Sequence, residues 1–172
     1  MFDQIFSDDC NYIIKNTKLS KIKKKKVLFL GANSFFALYL QSVLVLKNCK
    51  ITSISLNKPK GYLKKLIFKK KINFYKFNLN NEKKLKSILN KNFDYIFHCA
   101  TYGQPKKWSN NFYNTINLNT KILKMMLEHS LKYNSRILYC SSAAVYETSN
   151  KNKLPSLILF SKIICFVSFR SL

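Results

Sequence analysis

The first residues whose types and spacing could do chemistry form the segment GANSFFA at positions 31–37. It directly follows the apolar run KVLFL at positions 26–30. A buried strand, a glycine turn and a helix in this order allow backbone N–H groups and a helix N-terminus to approach a pyrophosphate. The spacing is that of G-x-x-G-x-x-G, with Ser34 and Ala37 in the second and third glycine positions. Because only Gly31 is a glycine, this spacing by itself favours an ordinary strand-to-helix turn.

Hydroxyl, imidazole and thiol groups are the other candidates for chemistry. Ser141 and Ser142 follow an apolar strand, where they are expected to satisfy backbone groups. His98, at a strand end, is expected to be a packed or hydrogen-bonded side chain, and His129 is expected on the surface of a helix. No CxxC pair or nearby histidine completes a metal site. We therefore interpret the five cysteines as small apolar residues in a reducing compartment: Cys10, Cys49, Cys99, Cys140 and Cys165.

Alternating strands and helices would position these groups. Short apolar or alternating runs predict strands at 26–30, 51–56, 72–77, 95–97 and 136–140. Helical patterns cover 34–47, 81–89 and 112–133, and the basic stretch 61–71 is expected to be a loop with a short helix. Strands that alternate with helices in this rhythm predict an α/β fold with a doubly wound parallel sheet.

The net charge of +24 would ordinarily indicate nucleic acid or an anionic membrane as a partner. Nearly all of the positive charge is lysine, since Arg136 and Arg170 are the only arginines, and it is spread over the whole chain. The densest run, residues 21–26, contains no aromatic residue that could stack on bases. We therefore expect a solvated lysine-rich surface and no nucleic-acid partner.

The two ends of the chain differ from its middle. Residues 1–22 are predicted to be a polar lead-in, weakly amphipathic around Ile13 and Ile14. Asp3 and further acidic residues there argue against a secretory signal, which favours the cytoplasm. Residues 154–172 are apolar, but Lys162 lies near their middle. An abnormal or truncated terminus is therefore favoured, and a membrane anchor is the weaker alternative.

Several motifs occur in one order along residues 23–147. LGANSFFA at 30–37 is similar to T-G-x-x-G-F-I-G, Asn78-Leu79 to Asp-Leu, and FHCAT at 97–101 to F-H-x-A-A. Asn119-Thr120 is similar to the start of N-x-x-G-T, and SSAAVY at 141–146 to S-[ST]-x-x-V-Y-G. On these motifs the chain resembles the extended short-chain dehydrogenases, the NAD-dependent epimerases and dehydratases of sugar nucleotides. YGQPKKW at 102–108 further resembles the subgroup of UDP-glucuronate decarboxylases and 4,6-dehydratases.

The resemblance implies a Rossmann fold, NAD as cofactor and a nucleotide-sugar substrate. In the family NAD takes a hydride from a sugar carbon, a tyrosine acts as base beside a lysine four residues on, and a Ser or Thr holds the sugar hydroxyl. Ser142 matches that serine. The positions that match the family's cofactor site are Gly31, Asn33, Ser34, Phe35, Phe36, Asn78, Leu79, Ala100, Asn119 and Ser141.

The sequence departs from the family pattern at the catalytic pair. No Tyr-x-x-x-Lys follows Ser142, where Val167 and Ser171 stand near the expected positions. The second strand ends in Ser55-Leu56-Asn57, without the acid that commonly binds the adenosine ribose. We therefore expect weakened NAD binding and a catalytically incomplete chain.

These observations predict a polar lead-in over 1–22, an NAD-binding domain over 23–147 and an aberrant apolar tail over 148–172, without a substrate domain. The alternative hypothesis is a non-catalytic Rossmann module that binds a nucleotide or a protein partner. The fifth strand is expected to lack a neighbour, and an unpaired apolar strand edge favours self-association.

Overall fold

The computed structural model describes residues 2–101, 110–140 and 164–167. Its sheet consists of β1 (Lys26–Leu30), β2 (Lys50–Ser55), β3 (Ile72–Lys76), β4 (Tyr95–His98), β5 (Arg136–Cys140) and β6 (Ile164–Val167). The strand order is β3-β2-β1-β4-β5-β6. The pairs among β1 to β5 are all parallel. The predicted doubly wound parallel sheet is confirmed, and its order is that of dinucleotide-binding folds.

Helices cover both faces of the sheet. They are α1 (Phe2–Asn16), α2 (Phe35–Leu46), α3 (Gly61–Phe68), α4 (Glu82–Leu89), α5 (Phe112–Asn119) and α6 (Lys121–Tyr133), with a short 3-10 helix at Ser20–Ile22. Val27 and Phe29 of β1 pack with α2 and α3 on one face. Leu28 and Leu30 pack with α4 and α6 on the other. All four side chains are fully buried because a central parallel strand is covered on both faces.

The N-terminal stretch contains a long helix where the sequence predicted a polar lead-in. Phe6 and Cys10 of α1 are buried against Val43 of α2. Tyr39 of α2 donates a hydrogen bond of 2.9 Å to Asp9. Since only a narrow stripe of α1 is buried, its apolar periodicity is faint in the sequence.

The single helix predicted over 112–133 is two helices. α5 ends at Asn119, Thr120 adopts φ −112° and ψ −61°, and α6 begins at Lys121. Thr120 Oγ1 donates to the carbonyl of Ile116 at 2.8 Å, and Asn119 Nδ2 donates to that of Thr115 at 2.8 Å. Side chains that bond to carbonyls one turn back bend helices, which accounts for the break.

His129 is buried, which corrects the expectation that it lies on the surface. Its Nε2 lies 2.9 Å from the carbonyl oxygen of Lys91, and its Nδ1 lies 2.9 Å from the hydroxyl of Ser135. That hydroxyl donates to the carbonyl of Phe93. These hydrogen bonds connect the helix face that contains His129 to the residues that precede β4 and β5, at the amino-terminal ends of the strands.

The β5 edge is paired, which contradicts the expectation of an unpaired fifth strand. β6 lies antiparallel to β5, with Ile137 opposite Val167 and Cys140 opposite Ile164. β6 belongs to the segment 148–172 interpreted above as an aberrant tail. An open β5 edge therefore no longer supports self-association. Among the helices that the structure describes, none is long and apolar enough to span a membrane.

Candidate functional site

A cavity of about 270 Å³ opens at the carboxyl ends of the parallel strands. It lies where β1 is flanked by β2 on one side and β4 on the other. In open α/β sheets ligands bind at this edge, where the strand order reverses. The lining comes from the β1–α2 turn, the ends of β2, β3 and β4, and α5: Gly31, Asn33, Ser34, Ser55, Leu56, Asn57, Asn78, Leu79, Cys99, Ala100, Thr101 and Leu118.

Gly31 brings the first turn against the end of β4. Its φ of +89° lies in a region that side chains disfavour. Its N–H donates to the carbonyl of Ile54 at 2.9 Å. A Cβ at this position would lie 2.5 Å from the backbone nitrogen of Ala100. Glycine is therefore required for both the backbone angle and the close approach of the two strand ends.

The N-terminus of α2 faces the cavity. Ser34 caps the helix, with its Oγ accepting from the N–H of Ala37 at 3.2 Å. Ala37, in the third glycine position, is fully buried against the sheet. Its methyl group is therefore accommodated within the protein. The partial positive charge of the helix end and its first N–H groups suit a diphosphate.

Gln41 fixes this turn from within the protein, a role that the sequence analysis did not find. The side chain is fully buried, and its Nε2 donates to the carbonyls of Ala32 and Ala37, both at 2.9 Å. Its Oε1 accepts from the hydroxyl of Ser53 on β2. A polar residue on a helix that is otherwise largely apolar is the signal that could have revealed it.

Asn33 lines the cavity with its amide engaged in the loop after β2. Its Nδ2 donates to Ser55 Oγ at 3.0 Å and to the carbonyl of Lys58 at 2.9 Å, and its Oδ1 accepts from the N–H of Lys60 at 3.3 Å. These bonds hold the β2–α3 loop beside the first turn. Asn33 thus shapes the wall where an adenosine ribose is bound in related folds.

The described lining of the cavity lacks acidic side chains. Asn57 stands there at the place where a ribose-binding acid is common. Asn78 lies on the opposite rim, where its Oδ1 accepts from the N–H of Asn80 at 3.0 Å. Leu79 beside it is buried and supplies an apolar surface. In the part of the chain that the structure describes, no three His, Cys, Asp or Glu residues form a metal-binding group.

His98 and Tyr139, which are register partners on β4 and β5, hold the end of α5. His98 Nε2 lies 2.9 Å from the carbonyl of Leu118, and the Tyr139 hydroxyl donates to Asn119 Oδ1 at 2.6 Å. Burial lowers the pKa of His98 and raises the pKa of Tyr139. Both side chains are therefore neutral near pH 7. His98 holds Leu118, which lines the cavity, and Tyr139 holds the neighbouring Asn119.

The structure brings six of the sequence-predicted cofactor residues together around the cavity: Gly31, Asn33, Ser34, Asn78, Leu79 and Ala100. Phe35 is 76% exposed and packs on Tyr39. Phe36 packs into the apolar layer between α2 and the sheet. Asn119 bonds to Tyr139 and Thr115. Ser141 and Ser142 lie outside the described residues.

The two buried histidines predict acid sensitivity. Burial is the main cause that lowers the pKa of both His98 and His129 from the ordinary value of 6.5. A lowered pKa means that the folded state binds fewer protons than the unfolded state. The contribution of these two histidines to the free energy of unfolding is therefore fully present above about pH 6.5. It is lost as the pH falls below that value. Urea unfolding between about pH 7.5 and about pH 5 is expected to show a falling midpoint.

The matched variant is His129→Asn, which cannot titrate. Its overall stability is lower than that of the wild type, because it loses part of the hydrogen-bond network. Its midpoint is nevertheless expected to change less between the two pH values. His98→Asn is the corresponding variant of the other histidine. If the midpoints of H129N and H98N each fall as steeply as that of the wild type between the two pH values, the assignment to these histidines is wrong.

Comparison with protein families adds an independent finding. Residues 27–157 match the model described as the NAD dependent epimerase/dehydratase family. The match covers most of the chain and includes β2 to β5 and all of β1 except Lys26. No curated protein matches the chain.

Three solved structures with the same fold illustrate the similarity. The UDP-N-acetylglucosamine 4-epimerase of Methanobrevibacter ruminantium, in complex with UDP-N-acetylmuramic acid, has 25% identity and a TM-score of 0.63, over 78% of this chain and 43% of that one. PbgP3 of Burkholderia pseudomallei has 18% identity and a TM-score of 0.64, over 77% and 44%. The UDP-glucose 4-epimerase of Bifidobacterium longum, in complex with NAD+ and UDP, has 18% identity and a TM-score of 0.61, over 76% and 41%. The chain thus spans less than half the length of each of these structures.

Proposed function

The chain belongs to the NAD dependent epimerase/dehydratase family, and on that premise we propose that its cavity binds the adenosine and diphosphate part of NAD. The main support for this proposal is that Gly31, the N-terminus of α2 and Ala100 lie together at one edge of the sheet. A diphosphate there would face helix N–H groups and no carboxylate of the described lining. NAD, when bound, supplies a hydride acceptor.

Individual residues have distinct roles in this proposal. The first free N–H groups of α2, from Phe35 and Phe36, would bind phosphate oxygens, since Ser34 already satisfies the N–H of Ala37. Leu79 would pack against the adenine with Asn78 at its edge. Asn57 would contact the ribose as a neutral group, which predicts weaker binding than a carboxylate would give.

We further propose that the substrate to which this chain is related by descent is a nucleotide sugar. We also propose that this chain alone does not convert it. YGQPKKW at 102–108 supports the UDP-glucuronate decarboxylase subgroup, with Ser142 as the hydroxyl-binding residue. The sequence from Ser142 onward contains no Tyr-x-x-x-Lys. The absence of this motif also supports the alternative hypothesis, a non-catalytic module that binds the dinucleotide. Both hypotheses use the same NAD site.

NAD titration of the purified chain tests the cofactor site. We expect a saturable rise of the unfolding temperature, since a ligand at ten times its Kd stabilises a protein by about 1.4 kcal/mol. Tripolyphosphate is the control ligand, because a protein of net charge +24 attracts any polyanion. An equal rise with tripolyphosphate, or no response to about millimolar NAD from folded protein, would overturn the proposal.

Turnover assays test the catalytic part. We expect no measurable conversion of UDP-glucuronate, UDP-glucose or dTDP-glucose by this chain in the presence of NAD. General base catalysis is worth roughly 100- to 10,000-fold, and the tyrosine base has no counterpart after Ser142. Product analysis by chromatography and mass spectrometry is the measurement. Steady product formation would refute the expectation and direct attention to Tyr146 and Lys162.

A further inference from the structure

Two thiols meet at the carboxyl ends of β4 and β5. Cys99 directly follows β4, and Cys140 is the last residue of β5. Their sulfur atoms lie 3.8 Å apart, although the residues are 41 positions apart in the sequence. Cys99 also lines the cavity beside Gly31 and Ala100.

The backbone geometry suits a bond between these sulfur atoms. His98 and Tyr139 are paired in the parallel ladder, so Cys99 and Cys140 occupy the next register position. Neighbouring strands lie roughly 4.8 Å apart, within the Cα separation of about 4.4 to 6.8 Å that disulfides require. Forming a disulfide bond between the two sulfur atoms therefore needs side-chain rotation and little movement of the strands.

The two thiols differ in exposure and in their contacts. The Cys140 thiol donates a hydrogen bond to Cys99 Sγ at 3.8 Å. The contact with Cys99 lowers the pKa of Cys140, whereas the contact with Cys140 and burial raise the pKa of Cys99. Cys140 is half-buried, and Cys99 is buried. Burial also raises the pKa of Cys10 and Cys49, which lie elsewhere in the fold. Among the four cysteines whose side chains the structure describes, Cys140 is the one that is not buried, so its thiol is the one that a peroxide can reach.

We propose that Cys99 and Cys140 are a redox-active dithiol that a peroxide oxidises to a disulfide joining the ends of β4 and β5. The Cys140 thiolate attacks one peroxide oxygen, the O–O bond breaks, and protonation of the leaving oxygen releases water and leaves a sulfenic acid. The Cys99 thiol then attacks that sulfur, and its proton leaves with the hydroxyl as a second water. The two cysteines lose two electrons in total, and the peroxide gains them.

The experiment treats the reduced full-length chain with a slight excess of hydrogen peroxide. Free thiols are then alkylated, and the digested protein is analysed by mass spectrometry. We expect a peptide pair linked through Cys99 and Cys140, a loss of two hydrogen atoms from the intact mass, and reversal by dithiothreitol. In Cys99→Ser, Cys140 is expected to stop at the sulfenic acid, which dimedone traps. In Cys140→Ser, Cys99 is expected to remain a thiol.

Cys49→Ser is the matched control, since it removes a buried cysteine distant from the pair and should leave the linked peptide unchanged. Cys165→Ser tests the fifth cysteine, which lies opposite Tyr139 in β6. A disulfide that persists in C99S through Cys165, a disulfide between two chains, or five alkylated thiols after oxidation would each overturn the proposal. Circular dichroism of every variant establishes that a negative result comes from folded protein.

Discussion

Replacing Gly31 by alanine is expected to lower the free energy of unfolding by about 2 to 5 kcal/mol and to abolish NAD binding. An L-residue in the left-handed region costs about 1 to 2 kcal/mol. The added Cβ would lie 2.5 to 2.7 Å from backbone atoms of Cys99 and Ala100, and such overpacking costs about 1 to 3 kcal/mol more. Because the obstructing atoms are backbone, β4 must move away from the turn, which opens the floor of the cavity.

Gly61→Ala provides the matched control. Gly61 also has a positive φ, of +51°, but a Cβ there meets nothing within 4 Å. Its loss is therefore expected to be the conformational part alone, about 1 to 2 kcal/mol, with NAD binding retained. Urea unfolding gives both free energies, and calorimetry gives the affinities. Equal destabilisation by G31A and G61A would show that the approach to Ala100 is not what requires glycine.

Replacing Ser34 by aspartate is expected to weaken NAD binding at least about tenfold, which corresponds to about 1.4 kcal/mol, while the fold stays intact. Aspartate caps a helix about as well as serine does, so α2 keeps the bond to the N–H of Ala37. The new carboxylate would stand in a lining whose described residues include no acid, next to the proposed diphosphate position. Like charges at a distance of a few ångströms repel by more than 1.4 kcal/mol in a partly buried site.

Asn81→Asp is the control for this charge change. Asn81 caps α4 in the same manner, with its Oδ1 accepting from the N–H of Lys84 at 3.1 Å, and it does not line the cavity. It adds the same charge to the protein and preserves the same kind of cap. Unfolding temperatures near the wild-type value are expected for both variants, with a loss of NAD affinity in S34D only. An equal loss in N81D would mean that net charge, and not the cavity, controls binding.

The proposed dithiol lies at the edge of the proposed cofactor site. Cys99 and Ser34 both line the cavity. Ser34 also caps the helix proposed to bind the diphosphate. Oxidation of Cys99 and Cys140 would therefore change the same wall of the cavity that Gly31 forms. The proposed NAD binding does not require the disulfide.

Local sequence determined the strand and helix order of this protein. The runs that form β1, β2 and β4 are apolar and largely buried, whereas β3 and β5 are only partly buried. The segments between the strands have helical patterns or basic loops. Gly31 was identified because its position after a buried strand calls for a turn that few residues can make. The helix predicted over 81–89 is α4, and in the structure Asn81 caps it by accepting from the N–H of Lys84.

Tertiary structure alone decided which distant residues meet. Gln41 bonds to the carbonyl of Ala32 in the glycine turn and to Ser53 on β2. His129 is buried against Lys91 and Ser135, and Cys140 contacts Cys99. The same holds for the burial of α1 and for the pairing of β5 with β6. Periodicity reports that a helix has an apolar face or that a strand is buried. It does not report which partner that face or edge contacts, because the partner is fixed by the packing of the whole chain.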